Sequence, residues 1–426
     1  MRYLIYVVMA SIMLHWPNML YGYSTFTAVY LKNFLLLLSV GVFGVLGFRK
    51  VGNFAGYFFV MAAVAVIYCY INGLLFHSYV LRTIFFVLLC ASFYQYPRLM
   101  DQFIKTGLLL SAYLGLQALI LIILMLFDVT LPYDSINFVE SGGSRDFNIL
   151  AGFSNDKSYF RTISYFTETN RLAYFLTPSL FLSYYYSKDI FLYKIVFYLI
   201  VVAILSTFSV FSFFSIACGV LVYILYTRNS GKTAMLVFPF LVIIGYIIYS
   251  LNTEFLSWMF DKSGSSTSRI LGILTKIQMV YDRPYGYDEA TVSKMFDSKE
   301  ATQTLGNSTL TLLNWSVIGG MQSAVLLGGL LLMWFVELKK LLKTNNKFLA
   351  LLACGMIANL LQQSFYGSYF EYYFLGMMAI VTTYSKLLRR VAVLPSGGPK
   401  TLNAFLSRRP SGIRTSGIKP AEVKAA

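Results

Sequence analysis

The chain has 426 residues, of which 58% are apolar, 17% aromatic and only 12% charged, and its mean hydropathy is +0.66. Soluble domains carry roughly twice that share of charge, so the composition excludes a soluble globular protein and points to an all-α polytopic membrane protein. The formal net charge of +16 implies no nucleic acid, because the outer segments described below are together net negative.

A membrane span needs about 20 mostly apolar residues. Runs of that kind, broken by charge, proline or polar clusters, predict about twelve spans with cores at 3–20, 27–48, 54–76, 79–97, 106–127, 171–187, 191–207, 209–227, 233–250, 309–336, 348–364 and 369–386. Met1 to Leu14 is apolar behind Arg2 without a small-residue cleavage site after it, so it reads as a retained first span. The run from Ile190 to Tyr226 is too long for one crossing, and the polar knot Ser206 to Ser209 in its middle predicts a tight turn. Cys69, Cys90, Cys218 and Cys354 all lie inside apolar runs and read as buried small hydrophobes.

With the amino terminus inside, most of the 34 Lys and Arg fall on the cytoplasmic side and most of the 18 acidic residues on the other. Arg49, Lys50, Arg98, Lys105, Lys188, Lys194, Lys339, Lys340 and Lys343 are examples of the first group, and the positive-inside rule then holds in nearly every short loop. Both termini are expected in the cytoplasm. Residues 1–390 form the predicted transmembrane domain, and 391–426, rich in Pro, Gly, Ser and Lys/Arg, read as a disordered basic cytoplasmic tail.

Two connections, 128–170 and 251–308, fall on the outer side and exceed what a simple helix connection requires. "RTISYFTETNRLAYFL" (161–176) leads from the first into a span. On a helix, Arg161, Ser164, Glu168 and Arg171 share a polar stripe roughly 80° wide. Thr167 is a plausible N-cap, which would leave Arg161 on the loop. The bland alternative is interfacial anchoring, with Arg171 paired to Glu168.

The second loop carries "SSTSRILGILTKIQMVYDRPYGYDEA" (265–290). Ile270, Ile273, Leu274 and Ile277 predict an amphipathic helix able to lie along the outer surface. Arg269, Lys276 and Arg283 recur every seven residues and would form one basic row if the helix reaches that far; Pro284 and Gly286 end it. Arginine forks presented by two outer loops suit a phosphate-headed lipid. Lys32 and Arg82 sit near span ends and read as snorkelling anchors, with Arg82 also a candidate third phosphate contact. Tyr366, Tyr369, Tyr372 and Tyr373 read as an aromatic belt used for packing rather than sugar stacking, and Glu371 among them should face a cavity.

These segments resemble bacterial Wzy-type polysaccharide polymerases and O-antigen ligases. "RTISYFTETNRLAYFL" is similar to their arginine-led segment entering a helix. "SRILGILTKIQMVYDRPYGY" followed by "GNSTLTLLNWSVIGG" is similar to their second outer loop, with an arginine-led helix, a Pro-x-Gly turn, an Asn and a Gly-rich start to the next span. The resemblance implies an enzyme of the bacterial inner membrane that extends glycans carried on undecaprenyl diphosphate. It implies diphosphate-holding roles for Arg161 and Arg269, and Glu168 matches an acidic position of the polymerases; its chemistry suits either the base that accepts the acceptor's proton or a salt bridge to Arg171. Arg171, Lys276, Arg283, Asn307 and Arg82 are the expected substrate-binding residues, with Asp288 and Glu289 weaker acid/base candidates. Partners implied are the lipid-linked glycan, membrane lipid, and a chain-length regulator and flippase of the same pathway. No cofactor is expected, and without an outer Asp-x-Asp or a His/Asp/Glu cluster no metal.

Ligases carry a His where this chain has Gly306, Asn307 and Ser308, and His15 and His77 are its only histidines. A polymerase is therefore expected over a ligase or another lipid-linked glycosyl transferase. A flippase or transporter would place ionisable residues near the bilayer midplane, where these spans have almost none.

Overall fold

The computed structural model describes residues 6, 8–9, 25–71, 78–127, 136–138, 145–147, 169–207, 209–227, 274–288, 291, 311–344, 346–366 and 371–393. Arg161, Glu168, Arg269, Asn307, Glu289, Thr167 and the tail beyond Val393 lie outside them, as do Tyr369 and most of the connections 128–170 and 251–308.

The described residues form a helical bundle: α1 Thr25–Gly47, α2 Ala55–Ile71, α3 Ser78–Gln95, α4 Arg98–Leu126, α5 Thr169–Ser187, α6 Phe191–Ser206 and α7 Val210–Thr227. A helix over 274–282 follows, here α8, then α9 Thr311–Leu342, α10 Lys347–Tyr366 and α11 Tyr372–Val393. The expected all-helical class is what they show, apart from one antiparallel pair between α4 and α5. There β1 Ile136–Phe138 pairs with β2 Arg145–Phe147 in the register Ile136 to Phe147, and the intervening sequence VESGGS suits a reversal.

Among the described residues, three stretches are long and apolar enough to cross a membrane: Phe34–Ile71, Arg98–Ile120 and Trp315–Leu342. Val80–Gln95, Phe191–Ser206 and Ser212–Tyr226 are shorter apolar helices. The chain is a helical membrane protein on that basis. Phe34–Ile71 is not one straight rod, because a 3-10 helix, Phe48–Phe54, carries Arg49 and Lys50 between α1 and α2. Along α1, Phe43 meets Phe85 and the Gly47 position meets Ser92, so α1 runs parallel to α3. Along α2, Phe54 meets Tyr94 and the Met61 carbonyl accepts from Thr83 Oγ1, so α2 runs antiparallel to it. The chain therefore reverses at the basic 3-10 turn, as two separate predicted spans require.

Polar residues end the helices where the sequence placed breaks. Between α6 and α7, Thr207 closes one helix, and Ser209 and Ser212 exchange a 2.7 Å hydrogen bond at the start of the next. Edge-to-face aromatic pairs fill the interior: Phe93 with Phe103, Phe86 with Trp334, and Trp334 with Phe374. These join α3, α4, α9 and α11, and each is worth about 0.5–1.5 kcal/mol beyond its burial. Cys69, Cys90 and Cys354 are buried, Cys218 is partly so, and all four are free thiols.

One helix carries a proline, and its neighbour compensates. Pro178 lies inside α5 and has no N–H to donate to the carbonyl four residues back, that of Tyr174. Asn359 Nδ2 of α10 donates to that carbonyl instead, and Gln362 Nε2, one turn on, donates to Thr177 Oγ1 at 3.0 Å. In a bilayer, where no water can serve the freed carbonyl, this pairing lets α5 keep its proline.

Candidate functional site

α11 begins with two adjacent tyrosines that face different helices. Tyr372 points to α3, where its ring meets Phe85 and lies 5.1 Å from the Arg82 guanidinium carbon. Tyr373 points to α4 and α5, against Phe103 and Phe175, and its hydroxyl bonds Ser179 Oγ at 3.0 Å. Ser179 in turn accepts from Ser111 Oγ at 2.7 Å. Both tyrosines are buried, so the packing expectation holds for this pair, and Glu371 before them is half-buried.

Arg82 occupies the second turn of α3 and is 7% exposed, so the snorkelling expectation is corrected. Its guanidinium packs on Tyr372 inside the bundle rather than reaching water, which is where the planar cation gains most from an aromatic face. Beside it lies a cavity of about 30 Å³ lined by Met61, Val64, Thr83, Trp315, Leu327 and Leu375 among others, room for about one water. Arg171 lies in the first turn of α5, half-buried and ahead of fully buried Leu172 and Ala173. It precedes Phe175 by one helical turn, so it projects from the face of α5 that packs on Tyr373.

The segment that carries α8 is joined to α9 by its Pro-x-Gly turn. Gly320 has φ 71° and ψ −179°, which breaks α9 into two segments. In an unbroken helix Met321 N would donate to Val317 O. Here Met321 N donates to Pro284 O at 2.8 Å, and Val317 O accepts from Tyr287 N at 2.8 Å. The turn 284–287 thus sits inside the helix's hydrogen-bond ladder and serves both groups that the break exposes. Gln322 Nε2 adds a bond to Tyr285 O at 3.2 Å.

That joint sets the orientation of α8. Met279 is buried, and Val280 and Tyr287 pack with it against Val317. Lys276 is turned inward at 5% exposure, and burial lowers its pKa to about 8. Arg283 lies past the end of the helix, exposed, over the Tyr287 ring at 5.3 Å. The expected single basic row is therefore corrected: the helix stops at 282, and Lys276 and Arg283 point to different surroundings. Asp288 accepts from the Thr291 hydroxyl and backbone N–H, which hold its carboxyl below the usual range.

The described site residues are linked through α9 and α11. Trp315 lines the Arg82 cavity, and Val317 to Gln322, the next two turns, hold the turn 284–287. Tyr372 and Tyr373 join the Arg82 helix to the Arg171 helix. Sequence reasoning missed the guanidinium-on-tyrosine contact and the Ser111–Ser179–Tyr373 chain, because neither has a local signature. Among the described residues no group of three His, Cys, Asp or Glu could hold a metal ion. Comparisons with protein-family models, curated proteins and solved structures give no match.

Proposed function

We propose that this protein is a metal-independent glycosyltransferase that polymerises undecaprenyl-diphosphate-linked repeat units into exopolysaccharide or O-antigen. In this reading it works at the outer face of a bacterial inner membrane, with about twelve spans, both termini in the cytoplasm, and outer loops 128–170 and 251–308. The supporting observation is that cationic side chains gather at one end of the bundle, where α3, α5, α9 and α11 begin. Arg82 is buried on Tyr372, Arg171 lies a turn from Phe175, and Lys276 is held inward by the docked loop. Lys339, Lys340 and Lys343 lie at the far end of α9, the end that the positive-inside rule assigns to the cytoplasm.

The chemistry asks for little covalent help. An acceptor sugar hydroxyl attacks the anomeric carbon of the donor chain, the bond from that carbon to the diphosphate oxygen breaks, and the hydroxyl proton passes to a base. Glu168 is the assigned base. Arg161 and Arg269, with Arg171 and Arg82 behind them, take the charge that develops on the departing undecaprenyl diphosphate. Preorganised cations in a water-poor site are well suited to that. Asn307, Lys276 and Arg283 serve substrate binding in this assignment.

The test is incubation of the purified protein in lipid with undecaprenyl-diphosphate-linked repeat units. A ladder of longer lipid-linked glycans is the expected product. Transfer onto lipid A core alone would mean a ligase, and translocation without elongation a flippase.

A further inference from the structure

The inner edge of α8, formed by Lys276, Met279 and Val280, faces α9, and its outer edge has an unusual composition. Leu274, Ile277, Tyr281 and Tyr285 are 57%, 52%, 81% and 79% exposed. At 100° per residue the first three fall within a sector roughly 60° wide, and Lys276 and Met279 lie on the opposite side. Between the two edges runs a polar flank in which Gln278 Nε2 donates to Asp282 Oδ1 at 2.8 Å. The helix thus has three sides: one packed on protein, one polar and one apolar with two tyrosines.

The apolar side continues a surface that the bundle already presents. The Pro284 and Tyr285 carbonyls are bonded to Met321 and Gln322, which sets Tyr285 beside Met321. Met321, Val325 and Leu332 are all exposed on α9, and their spacing places them on one stripe along that membrane-crossing helix. A large apolar stripe on such a helix faces lipid, and the edge of α8 meets its upper end.

We infer that α8 lies in the lipid–water interface, its Leu274–Ile277–Tyr281–Tyr285 edge in contact with phospholipid of the leaflet opposite the Lys339–Lys340 end of α9. Tyrosines at headgroup level and aliphatic residues just below them are the arrangement such a position favours. The bilayer then presses α8 onto α9 from one side, and the Gly286–Gly320 joint holds it from the other. This inference does not depend on the glycan chemistry proposed above.

The test uses the full chain in proteoliposomes with Tyr281→Trp and, as an independent reporter, Tyr285→Trp, each read as the tryptophan emission added over the parent protein. With lipids brominated high on the acyl chains, the added emission is expected to lose roughly half its intensity, as for residues in interfacial belts, and to resist acrylamide. Quenching by acrylamide and not by brominated lipid, in either folded variant, would put the edge in water and overturn the inference. Emission indifferent to both quenchers would mean that protein covers the edge, which overturns it equally.

Discussion

Gly286 and Gly320 meet backbone to backbone across the joint between the turn 284–287 and α9. Both have positive φ, 97° and 71°. A Cβ on Gly286 would stand 2.6 Å from Gly320 N, and one on Gly320 would stand 2.6 Å from the Tyr285 carbonyl carbon. Neither backbone can withdraw without losing the bonds from Met321 and Tyr287, so the two glycines are required together.

Gly320→Ala is therefore expected to undock the loop. The backbone conformation alone costs a non-glycine residue about 1–3 kcal/mol, and the collision adds to it. Thermal unfolding in detergent should occur at lower temperature, and proteolysis within 265–300 should accelerate. Gly328→Ala, on the same helix with nothing within 4 Å of its Cβ, should be neutral or slightly stabilising. Equal behaviour of the two variants would contradict the joint.

Arg82→Lys, Arg161→Lys and Arg269→Lys keep charge but lose the planar fork. If these arginines hold the departing diphosphate, each variant should insert normally and lose roughly 10²-fold in polymer formed, the scale for removing one preorganised donor. Gel analysis of glycan made from lipid-linked repeat units measures this, and full-length polymer from all three would refute the assignment.

Lys276 gives the loop a pH dependence. Its pKa is about 8 in the folded protein against a usual 10.5. Between those values the unfolded chain holds a proton that the folded chain has released, so stability rises with pH across that window. Below pH about 8 both states are protonated and the full cost of the buried charge applies. Protection of the loop from protease should improve from pH 8 toward pH 10. Lys276→Met should be flat over that range, and a parallel slope in the variant would remove Lys276 as the cause.

Pro178 and Asn359 form a compensating pair, best tested by a cycle. Asn359→Leu leaves the Tyr174 carbonyl without its donor and should cost about 1–3 kcal/mol. Pro178→Ala restores the missing N–H, so adding it to Asn359→Leu should recover much of that loss. Additive effects in unfolding midpoints would show that the two residues act separately.

Truncation after Val393 removes the basic segment and leaves α11 whole. If the protein elongates glycans as proposed, membrane insertion and elongation should stay near those of the full chain, and loss of elongation with normal insertion would reveal a function in that segment.

Much of the fold was legible in the sequence because apolar runs and the residues that break them act locally. The Ser206–Ser209 knot predicted the turn between α6 and α7, and Arg49 and Lys50 marked the reversal between α1 and α2. Of the expected apolar stripe, Leu274 and Ile277 share one edge of α8, while Ile270 and Ile273 lie outside the described residues, and the helix ends shortly before Pro284 as its turn residues predict. Periodicity gave Lys276 and Arg283 one common face because it counts residues as though a helix continued, and this helix stops at 282.

What the sequence determined by itself is the membrane as solvent, the helical class, and the sites of turns and charges, since each follows from hydropathy and short-range chemistry. Only the tertiary structure decided which polar groups meet. Arg82 on Tyr372, the Asn359 amide at the carbonyl freed by Pro178, and the turn 284–287 within the ladder of α9 all join residues far apart in the chain. Spacing along one helix carries no information about such contacts; they arise because buried polar groups, deprived of water, must find partners on whichever helix lies alongside.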